Sequence, residues 1–414
     1  MVLARSKEIN SVAVLGAGPA GLAAALALAG SGQDVVLLAP PYDPNRLSGE
    51  RRTAALFGPS IEFLVNLGVW AACAPASAPI RAVRIADVRE GLVHVPEMVF
   101  HSAEIGFETF GSNVPNAVLL QALAAAAAAD PRIAWIPTSR VVSVHRTAEG
   151  IRLECAEERG VVTRLLVAAD GRDSVARQAA GISVRRSAYP QIAIATTFAH
   201  ARPHRDSVIE LHGAHGPCTI VPMPCDRSSL VWVESPDTAQ TLLAMDPVTF
   251  AERLEERLQG VLGVIDDVGP RAAYPLAALT ASRMGASGIA LVGEAAHVIP
   301  PIGAQGLNLG LRDAAALADC VSDAHANGHD VAGDEVLDAY HRMRNIDVLM
   351  RSASVDILNR SLLTDMVPVD VLRSLSARLI ANFHPLRRLF MLGGMGNAGH
   401  LPQLMRPNAS PPAS

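Results

Sequence analysis

The pattern of apolar and polar positions in the first third of the chain predicts strands that alternate with helices. The runs SVAVLG (11–16) and DVVLLA (34–39) are short and almost wholly apolar, as in strands buried on both faces, and an Ala/Leu-rich helix ending near Gly30 separates them. Leucine and isoleucine recur on one helical face in 50–75, so we expect a helix there. Residues 116–129 are dominated by Ala and Leu and predict another helix, because both residues have high helix propensity.

The pattern changes in the middle of the chain, where short alternating runs between 190 and 235 predict an antiparallel sheet. The chain beyond about residue 305 is predicted to be mostly helical, and its last residues, RPNASPPAS, to be disordered. The other elements predicted are strands at 139–145, 151–155, 161–171 and 288–293 and a helix at 248–262.

Composition and charge narrow the functional classes. The 414 residues are enough for two domains with a sizeable core. A formal net charge of −5 provides no basic excess for binding nucleic acid. Five cysteines without a C-x-x-C pair suit a reducing cytoplasm better than a disulfide framework, and we predict no metal site. The first residues, MVLARSKEIN, lack the apolar core of a signal peptide.

A glycine-rich hexapeptide lies between the first predicted strand and the first predicted helix. GAGPAG places Gly16, Gly18 and Gly21 in a G-x-G-x-x-G spacing, with Ala20 inside it. The first glycine permits a tight turn, the second lets the backbone approach a pyrophosphate, and the third allows the helix to pack closely on the strand. Because a helix N-terminus attracts anions, the motif predicts a dinucleotide site.

Two further segments combine a strand end with a turn and the start of a helix. DGRDSVAR begins with Asp170 and Gly171, and by itself it is equally well explained as a turn with an Asp cap. GEAAHVIPPIGAQGLNLG places Glu294 after an apolar strand, followed by Pro300, Pro301 and a glycine-rich approach to a helix. The second segment is too rich in Gly and Pro for an ordinary core element.

In this order and at these separations, GAGPAG, DGRDSVAR and GEAAHVIPPIGAQGLNLGLRDAAALA resemble the group A flavoprotein monooxygenases. RRTAAL (51–56) resembles the arginine-bearing segment before their first long helix, and PPIGAQGLNLGLRDA is most similar to the aromatic hydroxylases of ubiquinone biosynthesis, which act on polyprenyl phenols. The resemblance covers nearly the whole chain. It implies an α/β fold in which a Rossmann-like FAD-binding domain with a parallel sheet is interleaved with an antiparallel-sheet substrate domain and followed by C-terminal helices.

The resemblance also implies roles for matching positions. The glycines would hold the FAD diphosphate, Arg52 would lie near the flavin, and Asp170 would belong to a motif serving both FAD and NAD(P)H. Glu294 would bind a ribityl hydroxyl, and the helix after Gly306 would direct its positive end at the flavin N1–C2=O locus. Pro300 and Pro301 would line the pocket beside the ring, and His297 is a further catalytic candidate. The implied cofactor-binding set is Gly16, Gly18, Ala20, Gly21, Arg52, Asn116, Asp170, Gly171, Glu294, Gly303, Gly306, Leu307 and Asn308.

Two positions depart from the family pattern. Family members normally carry Asp where this chain has Glu294, whose side chain is one methylene longer. The ribose-binding acid that usually ends the second strand is replaced by Ala39, and Asp43 in the next loop is the available substitute. Both departures bear on FAD affinity, and we expect binding to survive.

The C-terminal run 371–392 mixes Leu, Ile and Phe with arginines. A basic amphipathic helix of this kind lies on a membrane surface, or it packs on the core or on another subunit. We expect a cytoplasmic protein, with peripheral contact to the inner face of the cytoplasmic membrane as an open alternative. The predicted division is 1–75, 110–185 and 286–345 as the FAD-binding domain, 76–109 and 186–285 as the substrate domain, 346–405 as a C-terminal helical region and 406–414 as a disordered tail.

By resemblance, the protein is an FAD-dependent aromatic hydroxylase. NAD(P)H or another donor reduces FAD, reduced flavin and O₂ give a C4a-hydroperoxide, and a hydrophobic phenol attacks its distal oxygen. Only one G-x-G-x-x-G occurs in the right context, so the donor docks transiently, or a redox partner or ubiquinone-biosynthesis complex supplies electrons. Two alternatives stay open: a flavin-dependent reductase or epoxidase of a prenyl lipid, and a non-catalytic prenyl-binding protein on the same fold. The oligomeric state is not determined by these patterns.

Overall fold

The computed structural model describes residues 10–47, 50–89, 96–157, 160–363, 367–396 and 400–407, and the strands in these ranges form three sheets. The strands are β1 (Asn10–Leu15), β2 (Val35–Ala39), β3 (Thr53–Phe57), β4 (Ala78–Ile80), β5 (Ala82–Asp87), β6 (Met98–His101), β7 (Gly111–Pro115), β8 (Ile133–Pro137), β9 (Val141–Thr147), β10 (Gly150–Cys155), β11 (Gly160–Ala168), β12 (Val184–His200), β13 (Ser207–Gly213), β14 (Gly216–Met223), β15 (Arg227–Glu234), β16 (Ile265–Asp266), β17 (Ala272–Ala281), β18 (Gly285–Ala286), β19 (Ile289–Leu291) and β20 (His297–Val298). The helices are α1 (Pro19–Gly30), α2 (Gly58–Asn66), α3 (Trp70–Cys73), α4 (Asn116–Ala129), α5 (Val175–Ala179), α6 (Pro236–Ala244), α7 (Pro247–Arg257), α8 (Gln305–Ala326), α9 (Asp334–Leu362), α10 (Val367–Asn382) and α11 (His384–Gly394).

The first sheet has a parallel core with the order β19-β11-β1-β2-β8. All five residues of β2 are buried, as expected of a parallel strand covered on both faces. The Ala-rich helix α1 packs against both α4 and α8, since its small side chains let neighbouring helices approach closely. The predicted strand–helix–strand unit at the N-terminus is therefore confirmed.

The second sheet has nine strands and is antiparallel except where β13 pairs with β5. Its outer face packs on α6 and α7 through a cluster that contains Phe198, Trp232 and Phe250. Its inner face looks towards the rest of the molecule. The mixed α/β fold with one parallel and one antiparallel sheet confirms the predicted fold class. The predicted helix at 248–262 is α7, which ends earlier than expected.

A third, three-stranded sheet with the order β3-β7-β4 lies between the two large ones. It is joined to the antiparallel sheet by a 2.7 Å hydrogen bond between the hydroxyls of Thr53 and Ser229 and by the Asn113 amide, which donates to the Pro222 carbonyl at 2.8 Å. The helix predicted over 50–75 is wrong in its first part, because Thr53–Phe57 pairs with β7 before α2 begins.

The C-terminal region is helical, with two corrections. Helix α9 runs without a break across the predicted boundary between 345 and 346, so that boundary does not fall in a loop. The run 371–392 is not one helix, because α10 ends before Phe383 and Pro385, which lacks an N–H, lies in the first turn of α11. Of the predicted disordered tail, 408–414 lies outside the described residues, whereas Arg406 donates to the Leu401 carbonyl. Within the described part of the chain, the helices are too short or too polar to cross a bilayer.

Candidate functional site

The three motifs meet at one edge of the parallel sheet, because each directly follows the carboxyl end of one of the adjacent strands β1, β11 and β19. Backbone hydrogen bonds of 2.9 Å link these ends, from Ala169 N to Leu15 O and from Val292 N to Ala168 O. Ligands of open α/β sheets bind in the crevice outside the carboxyl ends of the strands. The three segments, which are far apart in the sequence, therefore line a single crevice.

The glycine-rich turn is an open cradle for an anion. A Cβ on Gly16 would lie 2.3 Å from the Ala169 oxygen, and one on Gly21 would lie 2.1 Å from the Gly16 oxygen, so both positions exclude a side chain. A Cβ on Gly18 would meet no atom within 4 Å, so the crevice is open at this point. Helix α1 begins here without a side-chain cap and without an acid in its first turn, which leaves its positive end available.

Two buried acceptors at the crevice have no partner among the described residues, Oδ1 of Asp170 and Oδ1 of Asn116. The other oxygen of Asp170 accepts from Val175 N at 2.9 Å and Ala176 N at 3.3 Å. Burial is the largest effect on the Asp170 carboxyl and raises its pKa, despite these bonds. Buried acceptors without donors suit a ligand rich in hydroxyls, and the ribose and ribityl groups of FAD are such groups.

Charged side chains line the exposed part of the crevice. Glu294 is 54% exposed and lies 3.5 Å from the guanidinium of Arg172. The Arg52 guanidinium is held by Glu50 at 2.5 Å and lies 4.9 Å from the Tyr274 ring centre, on β17 of the antiparallel sheet. The hydrogen bond that the Arg52 side chain donates to Glu50 is the main cause of the raised pKa of Arg52. Arg52 thus sits where the crevice meets the antiparallel sheet.

The third motif leads into the N-terminus of the long helix α8. Ala304 at its N-cap adopts a left-handed conformation with φ of 53°, and the first turn contains no acid and no side-chain cap. Gly303 and Gly306 are exposed, Leu307 is half-buried, Pro300 is buried and Pro301 is exposed. A strained residue at an uncapped helix end is typical of a ligand site, because the free N–H groups stabilise negative charge.

Two predicted cofactor residues use their side chains inside the protein. The amide of Asn308 donates to the carbonyls of Ala55 and Ala304 and accepts from Phe57 N, so it anchors α8 to β3. The Ala20 side chain lies where Cβ atoms on Gly293 and Gly310 would meet it, at 3.1 and 3.2 Å. A cofactor would therefore meet the backbones of Asn308 and Ala20 rather than their side chains. Gly171, with φ of 83°, borders open space.

His297 is buried and paired rather than open to a substrate. Its Nε2 lies 2.6 Å from Oδ2 of Asp313, which also accepts from Gly293 N at 3.1 Å, and Arg344 donates to the other oxygen at 2.8 Å. Burial alone would raise the pKa of Asp313, but the charges of His297 and Arg344 outweigh it and lower the value. Its other ring nitrogen, Nδ1, is buried and has no partner among the described residues, and the catalytic role of His297 stays a prediction.

Several residues of the site were not singled out by sequence reasoning. Arg177 is almost fully buried and donates to Ala295 O at 2.8 Å and to Arg172 O at 2.9 Å, so it ties the second motif to the third. It lies inside DGRDSVAR, but a sequence motif does not reveal buried partners in a distant segment. No sequence motif indicates the Asp313–Arg344 pair or Tyr274; their residue types are the only information that the sequence gives about them. Within the described ranges, no group of three His, Cys, Asp or Glu side chains could hold a metal ion.

The fold and the crevice together define an FAD-dependent oxidoreductase. The family model of the FAD binding domain matches residues 10–348. The chain is 34% identical to the ubiquinone hydroxylase UbiL of Rhodospirillum rubrum, covering 98% of this chain and 94% of that protein, and 29% identical to the 3-demethoxyubiquinol 3-hydroxylase of Escherichia coli, covering 94% and 100%. The solved structure of Pseudomonas aeruginosa PqsL in complex with 2-aminobenzoylacetate shares the fold with a TM-score of 0.74, at 22% identity over 90% of this chain and 100% of that one.

The chain belongs to the FAD-dependent aromatic monooxygenases that carry this FAD binding domain. FAD is its cofactor, as the open glycine turn and the unpaired buried acceptors fit, and the resemblance stated from the three motifs is confirmed. The alternatives of a prenyl-lipid reductase and a non-catalytic prenyl-binding protein are not favoured by these relatives.

Proposed function

We propose that the protein hydroxylates the phenolic ring of a polyprenylphenol in ubiquinone biosynthesis, using NAD(P)H as a transient electron donor. The observation that carries the proposal is the similarity, over nearly the full length of each chain, to two relatives named as hydroxylases of ubiquinone compounds. Transient docking of the donor is supported by the sequence, in which only GAGPAG has the G-x-G-x-x-G spacing in the context of a strand, a turn and a helix.

Each part of the crevice has a task in this reaction. When bound and reduced, FAD supplies the activated oxygen that is transferred to the ring. The turn from Gly16 to Gly21 binds its diphosphate, and Asp170 and Glu294 accept hydrogen bonds from its hydroxyls. The N-terminus of α8, preceded by Pro300 and Pro301, stabilises negative charge and fixes the ring position. Because the side chain of Glu294 is one methylene longer than that of Asp, either its backbone stands slightly further from the hydroxyl or the flavin shifts.

The surface of α10 supports peripheral contact with the membrane that holds such a lipid. The exposed side chains Leu372, Leu375, Leu379 and Phe383 recur at three- and four-residue intervals and form one stripe. Residues 371–396 contain four arginines and no acid, and two of the arginines, Arg373 and Arg387, pair with acids elsewhere in the protein. Arg378 and Arg388 supply the positive charge that complements an anionic lipid surface. The double variant Leu375→Ser/Leu379→Ser should bind more weakly to vesicles of phosphatidylglycerol and phosphatidylcholine. Val248→Ser, which changes an exposed residue of α7, should bind as wild type does.

The function is tested with purified protein, NAD(P)H and 2-geranylphenol under ¹⁸O₂. The expected result is a yellow protein that releases FAD on denaturation and forms a ring-hydroxylated product with one ¹⁸O atom. Oxygen inserted into the prenyl chain, or a reduced prenyl chain, would favour the epoxidase or reductase instead. A protein that takes up FAD but leaves this phenol and its longer-chain analogues unchanged would refute the proposed substrate class.

A further inference from the structure

The inner face of the antiparallel sheet carries an apolar cluster that contains Ala193, Val233 and Leu276, and β13 adds two ionisable residues to the same face. Ile209 and Leu211 of β13 pack in the outer cluster with α7, so the alternating residues Glu210 and His212 face inwards. Both are buried, at 7% and 8% exposure. Charged or ionisable side chains in such a wall are costly unless they are paired, and they commonly mark a functional site.

Glu210 and His212 form a hydrogen-bonded pair, with Oε1 of Glu210 2.6 Å from Nε2 of His212. A carboxylate in this position favours the tautomer in which Nε2 carries the proton and donates it to Glu210. The lone pair is then on Nδ1. None of the hydrogen bonds within the described ranges uses Nδ1, so this atom is available to a ligand.

The pair borders an unpaired hydroxyl. Glu210 lies directly opposite Thr219 in the sheet, and the buried Oγ1 of Thr219 has no partner among the described residues. On the next strand, the half-buried Val231 lies opposite Thr219. Further across the sheet lies β17, whose Tyr274 contacts Arg52 at the FAD crevice. A polar group thus lies on the face that leads to the crevice.

A second carboxylate near His212, that of Asp87, is paired with arginines. Asp87 lies opposite His212 on the neighbouring strand and is bound by Arg89 at 2.9 Å and by Arg373 of α10 at 3.3 Å. Asp87 is therefore neutralised by arginines, and Glu210 is the carboxylate bonded to the imidazole. The arrangement leaves one acceptor atom, Nδ1 of His212, and one hydroxyl without a partner among the described residues, that of Thr219, opposite Glu210.

We propose that His212 is the base that accepts the proton of the phenolic substrate, with Glu210 orienting its ring and Thr219 contacting the phenol oxygen. The phenol O–H bond breaks, the proton forms an N–H bond at Nδ1, and the electron pair stays on the phenolate oxygen, which activates the ring towards an electrophilic oxygen. Glu210 stabilises the imidazolium produced. This role deepens the proposed function and rests on a phenolic substrate.

The test uses the oxidised FAD-loaded protein with 2-geranylphenol labelled with ¹³C at the oxygen-bearing ring carbon, whose resonance moves downfield on ionisation. We expect the bound phenol to be ionised in wild type and in His204→Gln, a control whose ring contacts the Met223 carbonyl. We expect it to stay protonated in His212→Gln, with hydroxylation about 10²–10⁴-fold slower and FAD affinity unchanged. Glu210→Gln should likewise lower the ionised fraction of the bound phenol.

Three outcomes would overturn the proposal: a protonated phenol in wild type, an ionised phenol in His212→Gln, or no binding of the phenol at all. If His212→Gln does not fold, Glu210→Gln and Thr219→Val decide the question by the same resonance. Wild-type protein that binds and ionises the phenol without hydroxylating it would contradict the proposed function but support His212 as the base, so the two failures are distinguishable.

Discussion

Replacing Asp313 with asparagine tests whether the buried cluster below the FAD crevice holds the third motif in place. Asp313 is fully buried and binds the His297 ring at 2.6 Å, the Arg344 guanidinium at 2.8 Å and Gly293 N at 3.1 Å. Asparagine has nearly the same shape and keeps one acceptor oxygen, but it removes the negative charge. The segment that carries Glu294 should therefore lose its anchor without a change in packing volume.

The size of the effect follows from the partners that remain. Breaking a buried ion pair costs about 3–5 kcal/mol, because the remaining charge stays buried without compensation. Arg344 keeps a second partner, Asp347, at 2.8 Å, and asparagine still accepts one hydrogen bond. We therefore expect a decrease in the free energy of unfolding near the lower limit, about 3 kcal/mol.

The decrease should also depend on pH with a definite sign. Because the folded protein lowers the pKa of Asp313, its stabilisation is present above the ordinary carboxyl pKa and is lost as pH falls through the folded value. The difference between wild type and Asp313→Asn should be constant near neutral pH and shrink in strong acid.

Urea unfolding of the FAD-free protein measures this difference, and fluorescence quenching on FAD addition measures the affinity. Asp319→Asn is the matched control, since Asp319 lies on the same helix and is also buried. Its one hydrogen-bond donor among the described residues is Gln403 N, at 2.8 Å. Its change should stay below about 1 kcal/mol, because the asparagine oxygen can still accept the hydrogen bond from Gln403 N. A loss of less than about 0.5 kcal/mol in Asp313→Asn, or equal losses in both variants, would refute the reasoning.

Three further predictions concern separate contacts. Gly18→Ala should leave the FAD-free protein as stable as wild type in urea but weaken FAD binding at least about tenfold. Gly21→Ala should instead lower the free energy of unfolding, because its Cβ would lie 2.1 Å from a backbone oxygen. Equal stability losses in the two variants would contradict this. Ala304→Gly should raise the free energy of unfolding by about 0.5–1 kcal/mol in urea, since it relieves a φ of 53°, and a decrease would contradict the strain. Arg387 of α11 lowers the pKa of Glu104 to about 2, so the stabilisation from their contact is present above the ordinary carboxyl pKa and lost as pH falls through about 2. Glu104→Gln should therefore speed hydrogen exchange in 384–394 at pH 7. Unchanged exchange would contradict this.

Local sequence determined the elements that carry the cofactor turns. G-x-G-x-x-G needs only three positions without side chains, so its turn and the start of α1 could be predicted from adjacent residues. The same holds for α4 over 116–129, whose Ala and Leu residues form a helix by their own propensity. Family resemblance then supplied the cofactor and the reaction, because the three motifs occur in one order.

Tertiary structure decided what depends on partners far away in the chain. Thr53–Phe57 has a pattern compatible with a helix, but it forms a strand because β7 offers backbone partners some sixty residues later. The bonds that the side chains of Asn308 and Arg177 donate to the carbonyls of Ala55 and Ala295 could not be predicted from their local sequence. Burial, pairing and the inward direction of His212 likewise arise only when separate segments pack together, because hydrogen-bond partners and low exposure are properties of the folded chain and not of its local order.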